Sequence, residues 1–205
     1  MNNGFGQSHL RLSNSLQYTR HVLVWLLIGS FAAAVHADSS APDRLTSDAF
    51  AKGSRNWSVT TGASYDAGLA SVYSTQINVS QYIADDVAVE YGAIFGYIDA
   101  RRTTEGVFAG PELGMRWHFA KHERWSTYLE GAVGAVYQQH PFTDRTLRFN
   151  FDLQPGGGAT YRFSHNTLVQ GGFRWHHLSN AQVRGRAHNF GYDGPMLYIG
   201  LTKPF

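Results

Sequence analysis

The chain ends in DGPMLYIGLTKPF, residues 193–205, and the phase of this tail decides the fold. Successive side chains of an extended strand point to opposite faces. Leu197, Ile199, Leu201 and Phe205 therefore share one face, broken only by Lys203, while Met196, Tyr198, Gly200, Thr202 and Pro204 share the other. A soluble barrel needs a wet outer face, and the apolar odd-numbered face argues against one. An apolar strand face at the end of a Gly- and aromatic-rich chain instead suits a wall that meets lipid.

The same period of two runs backwards through the chain. Strands are predicted near 55–64, 70–81, 86–98, 106–119, 125–138, 148–162, 167–179 and 193–205, with turn-forming residues between them. No stretch carries a sustained helical stripe. The fold class that follows is all-β, an eight-stranded antiparallel transmembrane β-barrel, because closure alone satisfies the edge N–H and C=O groups of a sheet in lipid. With the first strand running outward, the connections near 65–69, 99–105, 139–147 and 180–192 face outside, and those near 82–85, 120–124 and 163–166 face the periplasm. Three of the four outer connections exceed the inner turns in length, the habit of outer-membrane barrels. The terminal Phe205 after alternating apolar residues resembles the C-terminal signal of such barrels.

Ahead of the strands, VLVWLLIGSFAAAV (22–35) is an uncharged apolar run preceded by Arg11 and Arg20 and followed by the small-residue site VHA (35–37). That is the layout of a secretory signal peptide, and the run is too short for a comfortable membrane helix. The predicted organisation is a signal peptide at 1–37, a polar, loosely structured lead-in at 38–53 and a barrel at 54–205. Removing 37 of 205 residues takes away two arginines and no acid, so the formal charge of +2 falls to zero. No basic tract argues for nucleic acid. Cysteine is absent, which excludes disulfides and a thiolate nucleophile.

The chemistry concentrates in FRWHHLSNAQVRGRAHNFGYD, residues 173–193. His177 and Ser179 share a strand face with Phe173 and Trp175, whereas Arg174 and His176 share the opposite one. Asp193 opens the last strand in the phase of its lipid-facing residues. The hairpin brings it near His177 and Ser179, where a carboxylate orients an imidazole and the imidazole takes a serine proton. Asn180, or backbone N–H groups nearby, are candidates to stabilise an oxyanion. His176 is expected inside as a hydrogen-bonding histidine. His176 and His177 face opposite ways and no zinc motif is present, so neither a metal nor a cofactor is called for. Glu90, Glu112 and Glu130 are expected to form a polar interior and rim network with arginines such as Arg116 and Arg148. Gly156, Gly157 and Gly158 within the sixth strand are expected to permit a bulge, tight curvature or a packed neighbour.

At these residues the chain resembles the outer-membrane lipid A 3-O-deacylases of the PagL type. The resemblance rests on His177-Leu178-Ser179-Asn180-Ala181 at the end of the seventh strand, and on Asn189-Phe190-Gly191-Tyr192-Asp193, which matches an Asn-x-Gly-x-acid pattern. FNFDLQPGGGATY (149–161) and the eight-strand layout add to it. The resemblance implies Ser179 as nucleophile, His177 as general base, Asp193 as the acid and Asn180 in the oxyanion hole. It implies cofactor-free hydrolysis of the 3-linked acyl ester of lipid A in the outer membrane, with substrate entering laterally from the outer leaflet. The family's acid is typically glutamate, and Asp193 is one methylene shorter. Aligning Tyr192 instead would leave no acid, and Asp193 keeps both the pattern and the outward phase. An esterase acting on another membrane lipid such as a phospholipid, and a non-enzymatic barrel with a structural or binding role, remain open, as does a homodimer.

Overall fold

The computed structural model describes residues 47–101, 103–143, 146–164, 166–183, 185 and 189–205. The predicted signal peptide, and Arg184, Arg186 and His188 of the last loop, lie outside the described residues. Eight strands run β1 (Arg55–Asp66), β2 (Ala70–Ala84), β3 (Val87–Ala100), β4 (Gly106–Lys121), β5 (Trp125–Gln138), β6 (Phe149–Ser164), β7 (Thr167–Ser179) and β8 (Tyr192–Pro204). Each boundary falls within three residues of the sequence expectation. Consecutive strands pair antiparallel, and β1 closes on β8 from Asn56↔Pro204 to Ser64↔Met196. The result is a closed barrel with β1's start and β8's end at one rim and the loops after β1, β3, β5 and β7 at the other.

The alternation written in the sequence becomes an alternation of environment. Outward positions such as Ile77, Phe95, Leu113, Leu129, Leu153, Phe173, Leu197 and Ile199 are exposed, and they clothe the wall in apolar side chains. So large an exposed apolar belt has no place in water and marks a transmembrane barrel.

Inside, the barrel is filled in three layers. Nearest the termini, Phe50, Tyr82, Ala88 and Leu168 cluster, and Phe50 stacks on His118 with ring centroids 3.9 Å apart. Residues Ser47–Phe50 form a 3-10 turn held by Asp86 N–H to Phe50 O at 2.8 Å and by Asn56 Nδ2 to Ala49 O at 3.1 Å. The lead-in expected to be loose is therefore ordered at its end and plugs this mouth. A buried Phe offsets the entropy of ordering a short segment, and only the closed barrel supplies the cavity that buries it.

The middle layer is ionic. Glu130 accepts from Arg116 Nη2 at 2.8 Å and from Arg174 Nε at 2.7 Å, and Arg116 Nε lies 3.4 Å from Glu90. Glu112 accepts from Gln76 and Asn78 at 2.8 Å each. The predicted carboxylate–arginine interior is present with Arg116; its second cation is Arg174. Tyr128 and Tyr198 share a hydrogen bond of 2.6 Å and carry the two guanidinium groups over their rings. Gly158 serves this layer as a packed neighbour rather than a bulge, since a Cβ there would stand 2.7 Å from Tyr128 Oη. The loop-end layer is apolar and gathers Val72, Ile94, Ile98, Phe108, Val136, Phe142, Leu178 and Tyr192.

Breaking a buried ion pair leaves its partner charged and unpaired. Replacing Glu130 with Ala leaves the buried Arg174 without its carboxylate and Arg116 with only Glu90 at 3.4 Å, and the barrel is expected to lose about 3–5 kcal/mol. Urea-unfolding midpoints in lipid vesicles check this, and a midpoint equal to wild type would contradict it.

Candidate active site

The register of the last hairpin assembles the site. β7 and β8 pair so that His177 stands opposite Asp193 and Leu178 opposite Tyr192. On the other flank β6 pairs with β7, placing Phe151 opposite Ser179 and Leu153 opposite His177. His177 and Ser179 are two apart and project to the same, outer side, as Asp193 does. His177 Nε2 lies 2.9 Å from Ser179 Oγ, and His177 Nδ1 lies 2.8 Å from Asp193 Oδ1. A carboxylate on Nδ1 favours the proton there and leaves the Nε2 lone pair aimed at the hydroxyl. The side chains of His177 and Asp193 are 34% and 49% exposed, so the site opens directly to its surroundings. Those surroundings are exposed aromatic rings: Phe151, Phe173, Trp175 and Phe190.

Trp175 does more than line the wall. Its indole Nε1–H donates to Asp193 Oδ1 at 3.0 Å, the same oxygen that meets His177. The carboxylate is thus held by two donors. Trp175 lies two residues before His177 on its face, so it stands diagonal to Asp193 across the hairpin, within reach of a long side chain. In the sequence, Trp175 marks only the outward face that it shares with His177 and Ser179. The usable signal is its phase, which it shares with both His177 and Asp193.

The loop after Ser179 is tightly shaped. Ala181 and Gln182 take φ of 50° and 61°, and Val183 N–H closes the turn on Asn180 O at 3.1 Å. Two consecutive non-glycine residues in the left-handed region are costly, and such strain collects at functional sites. The turn is held by its far end: Asn180 N–H donates to Asn189 Oδ1 at 3.0 Å, and Thr146 Oγ1 donates to Phe190 O at 3.1 Å. The chain then crosses the pair at Gly191, where a Cβ would stand 3.4 Å from His177 Cε1 and 3.7 Å from Ser179 Cβ. A side chain there would meet both groups at ordinary contact distance.

His177, Ser179 and Asp193 are therefore brought together, and Asn180 is not beside them on the outer face. Asn180 is 1% exposed, on the inner side of the pleat, and its backbone N–H is engaged by Asn189. Tyr192 is buried, so the outward group at the start of β8 is the carboxylate. A second Ser–His–Asp set lies inside the barrel: Ser64 Oγ is 3.0 Å from His176 Nδ1, and His176 Nε2 is 3.1 Å from Asp152 Oδ1. With side chains of His176 and Asp152 at 0% and 1% exposure, it has the composition of a triad and no route for an ester. His176 is the interior hydrogen-bonded histidine that strand parity predicts. An apolar hollow of about 430 Å³ between Trp125, Tyr161, Val169, Gly171 and Ile199 lies lower on the outer wall and contains none of these groups.

The sequence profile of the family described as Lipid A 3-O-deacylase (PagL) matches residues 55–202, more than half of the chain. No curated protein matches it by sequence. Among solved structures, the chain is similar to Neisserial surface protein A at 13% identity, covering 74% of this chain and 96% of that one, with a TM-score of 0.49. The N-terminal barrel of Pseudomonas aeruginosa OprF gives 14% identity, coverage of 75% and 98%, and a TM-score of 0.46. A de novo designed transmembrane barrel gives 14%, coverage of 75% and 97%, and 0.45.

Trp175→Phe keeps an aromatic side chain on the outer face and removes the indole N–H donor together with half of the fused ring. Turnover of an ester substrate is expected to fall roughly 10-fold through misplacement of Asp193, with the barrel folded. Steady-state kinetics on the refolded variant check this, and unchanged turnover would remove Trp175 from the site.

Proposed function

The chain belongs to the lipid A 3-O-deacylase (PagL) family, and from that premise we propose that Ser179, His177 and Asp193 carry the hydrolysis of the acyl ester at the 3-position of lipid A. The observation that carries this reading is the bridging imidazole, 2.9 Å from a serine hydroxyl and 2.8 Å from a carboxylate, on the lipid-facing side of a barrel.

The steps follow from the chemistry of the three groups. Ser179 Oγ attacks the ester carbonyl carbon while His177 Nε2 takes the hydroxyl proton. Asp193 holds Nδ1–H and stabilises the imidazolium that forms. The tetrahedral oxyanion collapses, the sugar hydroxyl leaves with the proton from His177, and the acyl chain stays on Ser179. Water, deprotonated by His177, then attacks the acyl-enzyme and releases a 3-hydroxy fatty acid. The candidate oxyanion donors are the backbone N–H groups of Ala181 and Gln182 in the strained turn, or the Asn180 side-chain amide, which would have to turn outward from its buried position. No step calls for a metal or cofactor.

The reading puts the protein in the outer membrane after cleavage of the signal peptide near Ala37, with the loop-end rim outside. Substrate then reaches Ser179 sideways from the outer leaflet, through the aromatic wall rather than through the filled lumen. All three reacting groups come from one chain, so a homodimer is not needed for chemistry.

Mass spectrometry of lipid A from cells expressing the protein tests the reading. Loss of one 3-hydroxyacyl mass is expected with the wild type and absent with Ser179→Ala. Free fatty acid from phospholipid over intact lipid A would move the substrate to another membrane lipid, and an unchanged lipid profile would favour the non-enzymatic barrel. Asp193→Asn, which favours the wrong tautomer, is expected to lower turnover by about 10²–10⁴-fold without unfolding the barrel. Activity at the wild-type level in that variant would exclude Asp193 as the acid.

A further inference from the structure

We propose that the buried set Asp152–His176–Ser64–Tyr192 is a positioning relay that fixes the outward aim of His177 and Asp193. The proposal rests on the reading of Ser179, His177 and Asp193 as the reacting groups.

The four residues come from four strands, β6, β7, β1 and β8. Tyr192 Oη–H donates to Ser64 Oγ at 2.9 Å. Ser64 Oγ is 3.0 Å from His176 Nδ1, and His176 Nε2 is 3.1 Å from Asp152 Oδ1. One proton assignment fits the chain: Ser64 O–H donates to Nδ1, and Nε2–H faces the carboxylate across an ion-pair contact. The last approach is within ion-pair range but off the straight hydrogen-bond line, and neither atom has another hydrogen-bond partner among the described residues. The second carboxylate oxygen, Asp152 Oδ2, accepts from Gln154 Nε2 at 2.8 Å.

Adjacency turns this into a device for the outer face. In a pleated strand, fixing one residue inward fixes its neighbour outward. His176 precedes His177, and Tyr192 precedes Asp193. Asp152 follows Phe151, the cross-strand partner of Ser179. The outer residues sit at strand ends beside the long loop 180–191, where a hairpin opens most readily. The relay ties these ends to β6 and, across β8, to β1.

The packing around the relay is specific to it. A Cβ at Gly194, opposite His176, would stand 2.7 Å from Tyr192 Oη, so glycine there makes the room the phenol needs. His176 and Tyr192 meet edge to face at 5.7 Å, and Phe142 covers Tyr192 in the same manner at 6.3 Å. Burial this complete excludes an ester from Ser64 while making each polar partner costly to remove.

The test uses the full-length barrel and two conservative deletions, Tyr192→Phe and Ser64→Ala, with Asp152→Asn as a third variant that keeps shape. Folding is read by heat-modifiable gel mobility, chemistry by kcat and KM on lipid A, and nucleophile competence by the rate at which a long-chain alkyl p-nitrophenyl phosphonate labels the serine with release of p-nitrophenolate. Each variant is expected to stay folded, to lose about 3–30-fold in kcat and in labelling rate, and to keep KM within about twofold. The Ser64→Ala/Tyr192→Phe pair is expected to be no worse than the worse single variant, because both cut one chain. Wild-type kcat and labelling in all three variants would overturn the proposal. So would label mapped to Ser64, a rise in KM at constant kcat, or a loss of activity that tracks the unfolded fraction. If the wild type is labelled at Ser179 yet leaves lipid A intact, the deacylase reading fails while the labelling rates still decide this inference.

Discussion

Closure of β1 on β8 is the constraint on which everything else in this molecule depends. Lipid offers no partner to a backbone N–H or C=O, and each unsatisfied group costs several kcal/mol. The seam from Asn56↔Pro204 to Ser64↔Met196 removes the last open edge. Once closed, the sheet has one pleat phase all the way round, and every residue is committed to lipid or to the interior. A one-residue slip would turn both faces over, sending Glu130 and Arg174 into hydrocarbon. The seam also carries chemistry, since Ser64 at its loop end reaches under β8 to His176.

The interior explains how a wall with an apolar outside can be held so firmly. Buried ions are weak evidence for stability on their own, because desolvation offsets much of their attraction. Here they are multiply paired: Glu130 meets two guanidinium groups and the Tyr198 hydroxyl, and each of these guanidinium groups lies over a tyrosine ring. Such a layer specifies one register among those that hydrophobicity alone would allow. The apolar layer above it, with Leu178 and Tyr192, backs the strand ends that bear His177 and Asp193. Sites on strands of a filled barrel are held more tightly than sites on loops.

Much of this was legible in the chain because lipid and lumen impose opposite demands at a period of two. All eight strands, the inward His176, and the outward His177, Ser179 and Asp193 follow from that parity together with the hairpin. Parity also carried a message that chemistry overrode: Asn180 is one residue from Ser179 and so belongs to the opposite face, where it is buried. The donor role of Trp175 was hidden because an outward aromatic on a lipid-facing wall already has a sufficient explanation as part of that wall. Phe50 was hidden for another reason, since a 3-10 turn of four residues has no period to read and its burial exists only after closure. Arg174 could be assigned inward, but its pairing with Glu130 spans from β7 to β5, a contact that local pattern does not encode.

A hydrolase usually gains precision by enclosing its substrate, and this site is open among the described residues: Asp193 and His177 are substantially exposed, and the apolar hollow beside Trp125 lies elsewhere on the wall. A membrane lipid does not need enclosing. The bilayer already orients it, confines it to two dimensions and keeps its ester at the depth of the rim, so part of the entropy that a pocket would remove is absent from the start. What remains for the protein is to hold three side chains still on a surface swept by mobile acyl chains. The outer brace is the indole of Trp175 on Asp193, and the inner brace is the pleat, which transmits the fixed positions of His176 and Tyr192 to their neighbours. On the proposed mechanism, the lipid-facing Ser179, His177 and Asp193 rely on residues that never touch the substrate, and the two faces of the wall have to be read together.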